Sequence, residues 1–305
     1  MASSSAFVVQ AFFDVVTGTV SYVLHDAASG LAAVIDPVWD FDAKSGRTST
    51  ASAQKIVDYL QAQQLELSWV LETHAHADHL SAAQWLRAQA AYGVAETAAP
   101  VASVAIGQRI TAVQKVFGSI FAMEAAITPQ GGDFDRLLAD GDVLQLGGTS
   151  IRAISVPGHT PADLAYVVEG GAGPAAIFVG DTLFMPDVGT ARCDFPGGDA
   201  HQLYQSVRKL LAYPPQTALY VCHDYPPAGR EPRWQTSVAE QRASNIHVHD
   251  GVDEASFVAM RQARDATLEM PQLILPSVQV NIRAGKLPDA DAQGRRFLQL
   301  PVNAL

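Results

Sequence analysis

The chain has 305 residues, 48% hydrophobic and 17% charged, with a formal charge of −11 at pH 7. That composition allows a sizeable core and excludes a disordered chain, while the acidic balance excludes general nucleic-acid binding, which needs a basic face. No uninterrupted apolar stretch is long enough to span a bilayer, and two cysteines, Cys193 and Cys222, give no disulfide framework and point to a reducing cytoplasm.

Met1 to Phe7 lacks a charged stretch before an apolar run and so does not read as a secretion signal. Residues 7–13, 20–25 and 32–36 read as three short strands in a meander. Residues 50–63 carry Ile56, Val57 and Leu60 at helical spacing behind Ser/Thr caps. The apolar run 67–71 reads as a buried strand, and residues 79–91 as a helix. Residues 100–127 are expected to be mostly helical, because Ile106, Ile110, Val113 and Phe117 recur at steps of three and four. The breaker Pro129-Gln130-Gly131-Gly132 ends that segment, and from Asp142 the apolar period shifts toward two. A turn at 170–174 joins two apolar strands. A helix over 199–211, a strand over 218–222 and helices over 234–242 and 254–269 follow, and then an irregular tail. No linker of low complexity and no tandem repeat interrupts this order. The pattern predicts an α+β fold in one domain over 1–305: an αββα sandwich of two mixed sheets flanked by helices, with a helical and irregular C-terminal extension from about 228.

The chemistry concentrates where strands are expected to end. His74, His76, Asp78 and His79 fall within six residues after the run 67–71. Neutral imidazole and carboxylate are the donors that Zn or Fe(II) takes, so this is a metal-ligand spacing. His159 follows a strand in Pro157-Gly158-His159-Thr160, Asp181 ends an apolar run in Gly180-Asp181, and His223 ends another in Cys222-His223-Asp224-Tyr225. Each of the last three is weak alone, but their recurrence at strand ends assigns them to the same centre. The Lys and Arg residues crowd from Arg208 onward, which reads either as ordinary surface variation or as a local basic patch for an anionic substrate.

These motifs resemble those of the metallo-β-lactamase superfamily, through the chain from Phe7 to about Arg283. The segment Asp181 to Phe195, with Arg192-Cys193-Asp194-Phe195, is similar to one in the persulfide dioxygenase family, as are Cys222 to Tyr225 and Asn281-Ile282-Arg283-Ala284-Gly285. The segment Ile106 to Gly132 is longer than in the shorter members and resembles a bacterial subgroup with a long insertion. That resemblance implies one Fe(II) per chain, held by His74, His159 and Asp181, with Zn or a second metal as the other possibility. It implies oxidation of glutathione persulfide by O2 to sulfite and glutathione. His76, Asp78, His79 and His223 would then support the ligands or hold a second metal. Arg192, Tyr225, His247 and Arg283 would contact substrate, with His247 standing where the family carries an arginine. A separate sulfurtransferase partner is implied, since no rhodanese-like Cys loop occurs in this chain. The insertion at 106–132 would cover the site, make a homodimer contact, or simply pack into the core. Cys193 is either a persulfide carrier beside Arg192 or a small buried residue.

A rival reading is a glyoxalase II-like hydrolase of glutathione thioesters. It would place His74, His76 and His159 on one ion, Asp78, His79 and His223 on another, and Asp181 between them. All seven ligands are present.

Overall fold

The computed structural model describes residues 7–90, 102–169 and 176–304. The residues before Phe7, the last residue of the helix expected over 79–91, the start of the segment 100–127 and the turn at 170–174 lie outside the described residues.

The first half of the chain runs β1 (Phe7–Phe13), β2 (Val20–Asp26), β3 (Leu31–Ile35), β4 (Val38–Asp42), β5 (Arg47–Ser49), α1 (Ala51–Ala62), β6 (Glu66–Leu71), β7 (Leu80–Ser81), α2 (Ala83–Ala90), β8 (Ser103–Gly107), α3 (Ile110–Ile120) and β9 (Arg136–Leu138). The second half runs β10 (Val143–Leu146), β11 (Thr149–Ser155), β12 (Leu164–Glu169), β13 (Ala176–Phe178), α4 (Ala200–Leu211), β14 (Ala218–Tyr220), β15 (Gln235–Ser237), α5 (Val238–Ser244), α6 (Glu254–Asp265) and α7 (Ile274–Asn281).

Two six-stranded sheets form, in the orders β1-β2-β3-β6-β8-β9 and β10-β11-β12-β13-β14-β15, with a small third sheet β5-β4-β7. The meander β1-β2-β3 is antiparallel, whereas β3, β6, β8 and β9 run parallel. In the second sheet only the β13–β14 pair is parallel. Strands with apolar residues on both faces, such as β2 and β12, are those a doubly covered sheet requires. Tyr22, Leu24, Ile35 and Leu71 of the first sheet meet Tyr166, Val168 and Phe178 of the second. Outside the first sheet, Ile56, Leu60, Leu86 and Phe117 bring in α1, α2 and α3. Outside the second, Leu203, Val207, Leu210 and Phe257 bring in α4 and α6. The result is the expected αββα sandwich, and each fully buried large side chain contributes roughly 1.5–3 kcal/mol. Among the described residues no helix is long and apolar enough to cross a membrane.

Four sequence expectations are corrected. Residues 103–107 form strand β8, in parallel register with β6, so Ile106 is sheet core and only Ile110–Ile120 is helical. The helix expected from His79 starts at Ala83, because Leu80 and Ser81 pair with Trp39 and Val38. Residues 235–237 form the edge strand β15, which leaves α5 to begin at Val238. The tail is not all irregular: α7 packs its Ile274, Val278 and Ile282 side against the first sheet's outer core.

Candidate metal centre

The ligand residues sit in turns that follow β6, β11, β13 and β14, at the mouth shared by the two sheets. In layered folds this end of the strands gathers sites, because loops there splay apart and leave a crevice. Asp181 lies in a short 3-10 turn, Gly180–Thr182, entered through Gly180 at φ +53°.

The first set is His74, His159 and Asp181, whose ligand atoms all lie within 4.8 Å of one another. Asp181 Oδ2 is 3.8 Å from His74 Nε2 and 3.6 Å from His159 Nε2. Both imidazoles are prepared from behind. The Thr73 hydroxyl donates to Asp36 at 2.9 Å, so at its 3.0 Å contact with His74 Nδ1 it must accept. His159 Nδ1 is 2.8 Å from the carbonyl oxygen of Arg192, which can only accept. Both rings therefore carry their proton on Nδ1 and turn a bare Nε2 toward Asp181.

The second set is His76, Asp78, His79 and His223, again within 4.8 Å of one another. His223 Nε2 lies 3.2 Å from Asp78 and 3.4 Å from Asp181, which links the two sets. Thr19 Oγ1 reaches the Nδ1 atoms of both His79 and His223, at 3.3 and 3.4 Å. His76 Nε2 is 3.0 Å from Asp36 and 3.8 Å from Glu72.

Burial holds His74, His76, His159 and His223 below the usual imidazole range, with neighbouring imidazoles adding to the effect at His74 and His76, so all four are neutral donors. Burial alone would raise Asp78, but the imidazoles of His223 and His79 hold it well below the carboxylate range. Asp181 is pushed well above that range by burial and then by Asp78 and Asp163. A cation at this point relieves that crowding of carboxylates. The donor set fits a metal on a second count. Buried atoms with no hydrogen-bond partner include His74 Nε2, His76 Nδ1, His79 Nε2, His223 Nε2, Asp78 Oδ2 and Asp181 Oδ1. Unsatisfied buried polar atoms are rare and costly, and here they converge from both sets.

A cavity of about 1140 Å³ opens over this centre. Asp78, His79, His159 and Asp181 form its floor, and Trp39, Phe184, Phe195, Tyr225 and Leu268 are among its walls. Arg192 lines it, but Asp194 already grips the guanidinium from two sides at 2.6 Å, and its third nitrogen donates to the Glu269 carbonyl. The Tyr225 ring stacks on His223 at 5.6 Å and is half exposed at the cavity wall. His247 and Arg283 are buried and do not line the cavity. His247 instead accepts the Thr190 backbone N–H through Nδ1 at 3.0 Å. Burial, and then the charges of Arg261 and Arg264, push His247 down to about 4.

Three supporting residues escaped the sequence reading. Asp36, in a left-handed conformation (φ 49°), accepts from both the N–H and hydroxyl of Thr73. Glu72 accepts the Ser81 hydroxyl. Thr19 comes from the meander, about 200 residues before His223 in the chain. The polar residues at β-strand ends were the only signal for them.

The chain is similar to known proteins in sequence and in fold. The model of the metallo-beta-lactamase superfamily matches residues 15–223. The chain belongs to the metallo-beta-lactamase superfamily. It is 53% identical over 302 residues to a "probable metallo-hydrolase" of Burkholderia pseudomallei, covering 97% of this chain and 99% of that one. It is 44% identical over 297 residues to "Glyoxylase B2" of Dictyostelium discoideum, covering 97% of each. It spans 65% of the length of a beta-lactamase hydrolase-like protein of Xylella fastidiosa, at 47% identity over 97% of this chain. Human mitochondrial persulfide dioxygenase is 27% identical over 284 residues, covering 93% of this chain and 91% of that protein. Among solved structures, ETHE1 from Myxococcus xanthus superposes with a TM-score of 0.70 at 26% identity, covering 92% of this chain and all of that one. This metallo-beta-lactamase superfamily chain is thus similar both to proteins named as hydrolases and to a dioxygenase.

Proposed function

We propose that the protein is a non-haem Fe(II) persulfide dioxygenase that converts glutathione persulfide, O2 and water to glutathione and sulfite. The observation that carries this reading is the closure of His74, His159 and Asp181 as a three-ligand set without His76. Two imidazoles and one carboxylate on one face leave neighbouring positions open, and Fe(II) bound there would supply the chemistry that joins a persulfide sulfur to O2. The chain's own residues set the rest. Thr73 and the Arg192 carbonyl fix which nitrogen each histidine offers. Phe184, Phe195 and Tyr225 give the sulfur an apolar wall. A substrate carboxylate would meet the Arg192 guanidinium only by competing with Asp194. The likeness to human persulfide dioxygenase over 93% of the chain supports the reading, since it takes in the Arg192-Cys193-Asp194-Phe195 segment and α7.

Oxygen uptake on adding glutathione persulfide to anaerobically Fe(II)-loaded protein, with sulfite measured at the end, tests it. The expected result is one sulfite per O2. No uptake by protein shown to hold iron would remove the dioxygenase reading for this thiol.

A second reading is favoured by the second set, which offers four more ligands beside Asp181. Two ions there would supply a nucleophile from water at neutral pH for hydrolysis of a glutathione thioester. Thioester cleavage that needs two metals per chain, in protein inert to persulfide, would select it.

A further inference from the structure

We infer that Asn281, at the end of the C-terminal helix α7, is a positioning residue that holds the His76–His79 turn so that the second ligand set can close. Its side-chain amide meets two backbone carbonyls of that turn and one N–H of β7, which follows it. Nδ2 donates to the carbonyl oxygens of His76 at 2.8 Å and His79 at 2.7 Å, and Oδ1 accepts the N–H of Ser81 at 2.8 Å. Both amide hydrogens and the carbonyl oxygen are committed, and Asn281 is 4% exposed. Buried backbone carbonyls need donors, and a ligand turn that has left its strand has no ladder to supply them.

The helix that carries Asn281 is itself fixed on two sides. Gln114 of α3 donates to the Ile282 carbonyl at 2.8 Å. Just past α7, Gly285 runs so close that a Cβ there would lie 2.7 Å from the Ser81 carbonyl oxygen. Thus the segment between β8 and β9 braces α7, and α7 braces the turn.

The hydrogen bonds of Asn281 bear on the second set alone. Thr73 and the Arg192 carbonyl fix His74 and His159, and Asn281 touches neither residue. Loss of Asn281 is expected to split the two sets, weakening the one that contains His76 and His79 and sparing the other. Aspartate does not substitute, because it cannot donate and would set an oxygen against two carbonyl oxygens. The inference concerns how the second set closes around added Zn(II) or Co(II), and it does not set how many ions the reaction uses.

The test is metal binding by the stripped full-length chain, without turnover. Zn(II) would be titrated against a chromophoric chelator, and Co(II) followed by its visible absorption, for the wild type, Asn281→Ala, Asn281→Asp and Gln114→Ala. The expected result is two classes of site in the wild type. Both Asn281 variants lose about 10- to 100-fold in one class and keep the other within about threefold. Gln114→Ala, which loosens the same helix elsewhere, keeps both classes while its metal-free melting temperature falls like that of Asn281→Ala. The inference is overturned by a single class of site in the wild type, by equal weakening of both classes, by no weakening in either Asn281 variant, or by the same split in Gln114→Ala. None of these outcomes touches the oxygen-uptake test, so the two conclusions stand or fall separately.

Discussion

At Thr73 a single hydroxyl hydrogen decides which nitrogen of His74 is bare. The hydroxyl donates a hydrogen bond to Asp36 and accepts one from the His74 Nδ1–H, so the imidazole keeps a lone pair on Nε2 facing Asp181. Thr73→Val keeps the β-branched shape, removes the hydroxyl and frees the ring to turn or change tautomer. The expected outcome is about a 10- to 100-fold loss of metal affinity in the His74/His159/Asp181 class, with the other class little changed. Chelator competition reads this directly, and unchanged affinity would show that the threonine does not orient the ring. Burial at the same scale bears on Cys193. Burial and then the neighbouring Asp265 push its thiol up, away from the thiolate that a persulfide carrier needs. Cys193 is 8% exposed and packs with the outer core of the second sheet, which fits the reading as a small buried residue.

At the scale of elements, the helix α4 and the turn that carries His159 form one unit. Asp199 caps the helix by accepting from His201 and Gln202, and its own N–H donates to the Gly158 carbonyl at 2.8 Å. Ser206, two turns on, donates to the Pro157 carbonyl. Gly158 adopts φ +149°, and a Cβ there would lie 2.4 Å from the backbone N and Cα of Leu203. Gly158→Ala therefore forces the turn off the helix or strains it. The expected cost is about 3 kcal/mol, read as a lower urea midpoint, together with loss of bound metal. An unchanged midpoint would mean that the turn is free to move. This packing also explains what the sequence made legible. Three of the four ligand turns follow runs of apolar residues, which mark strands buried on both faces, and the turn of His159 follows the alternating strand β11, so His74, His159, Asp181 and His223 could be placed before any contact was known. The strands β4, β5 and β15 are short and exposed along part or all of their length, with no such run. Ile106 matched a helical step with Ile110, but parallel pairing with β6 outweighed that local period. The roles of Asp36, Thr19 and Asn281 depend on contacts between distant parts of the chain, which no local pattern encodes.

At the scale of the whole molecule, the centre is a joint. His74, His76, Asp78 and His79 belong to the first sheet's half, and His159, Asp181 and His223 to the second. Thr19 of the first half reaches His223 of the second, and Tyr22 donates to the Val221 carbonyl across the sandwich. In metal-free protein the joint holds several buried nitrogens and oxygens without partners, with Asp181 crowded by Asp78 and Asp163. A cation bound only by the folded state therefore stabilises the molecule as a whole rather than one loop. With free metal at about a thousand times its dissociation constant, the gain is about 4 kcal/mol. In a chain of this size that raises the melting temperature by about 6 °C. Calorimetry of chelator-stripped protein before and after adding back Fe(II) or Zn(II) checks it, and the shift should grow with metal concentration. A shift that stays near zero while metal is shown to bind would mean that the unfolded chain holds the ion equally well, as its clustered histidines could, and would place the centre outside the cooperative unit.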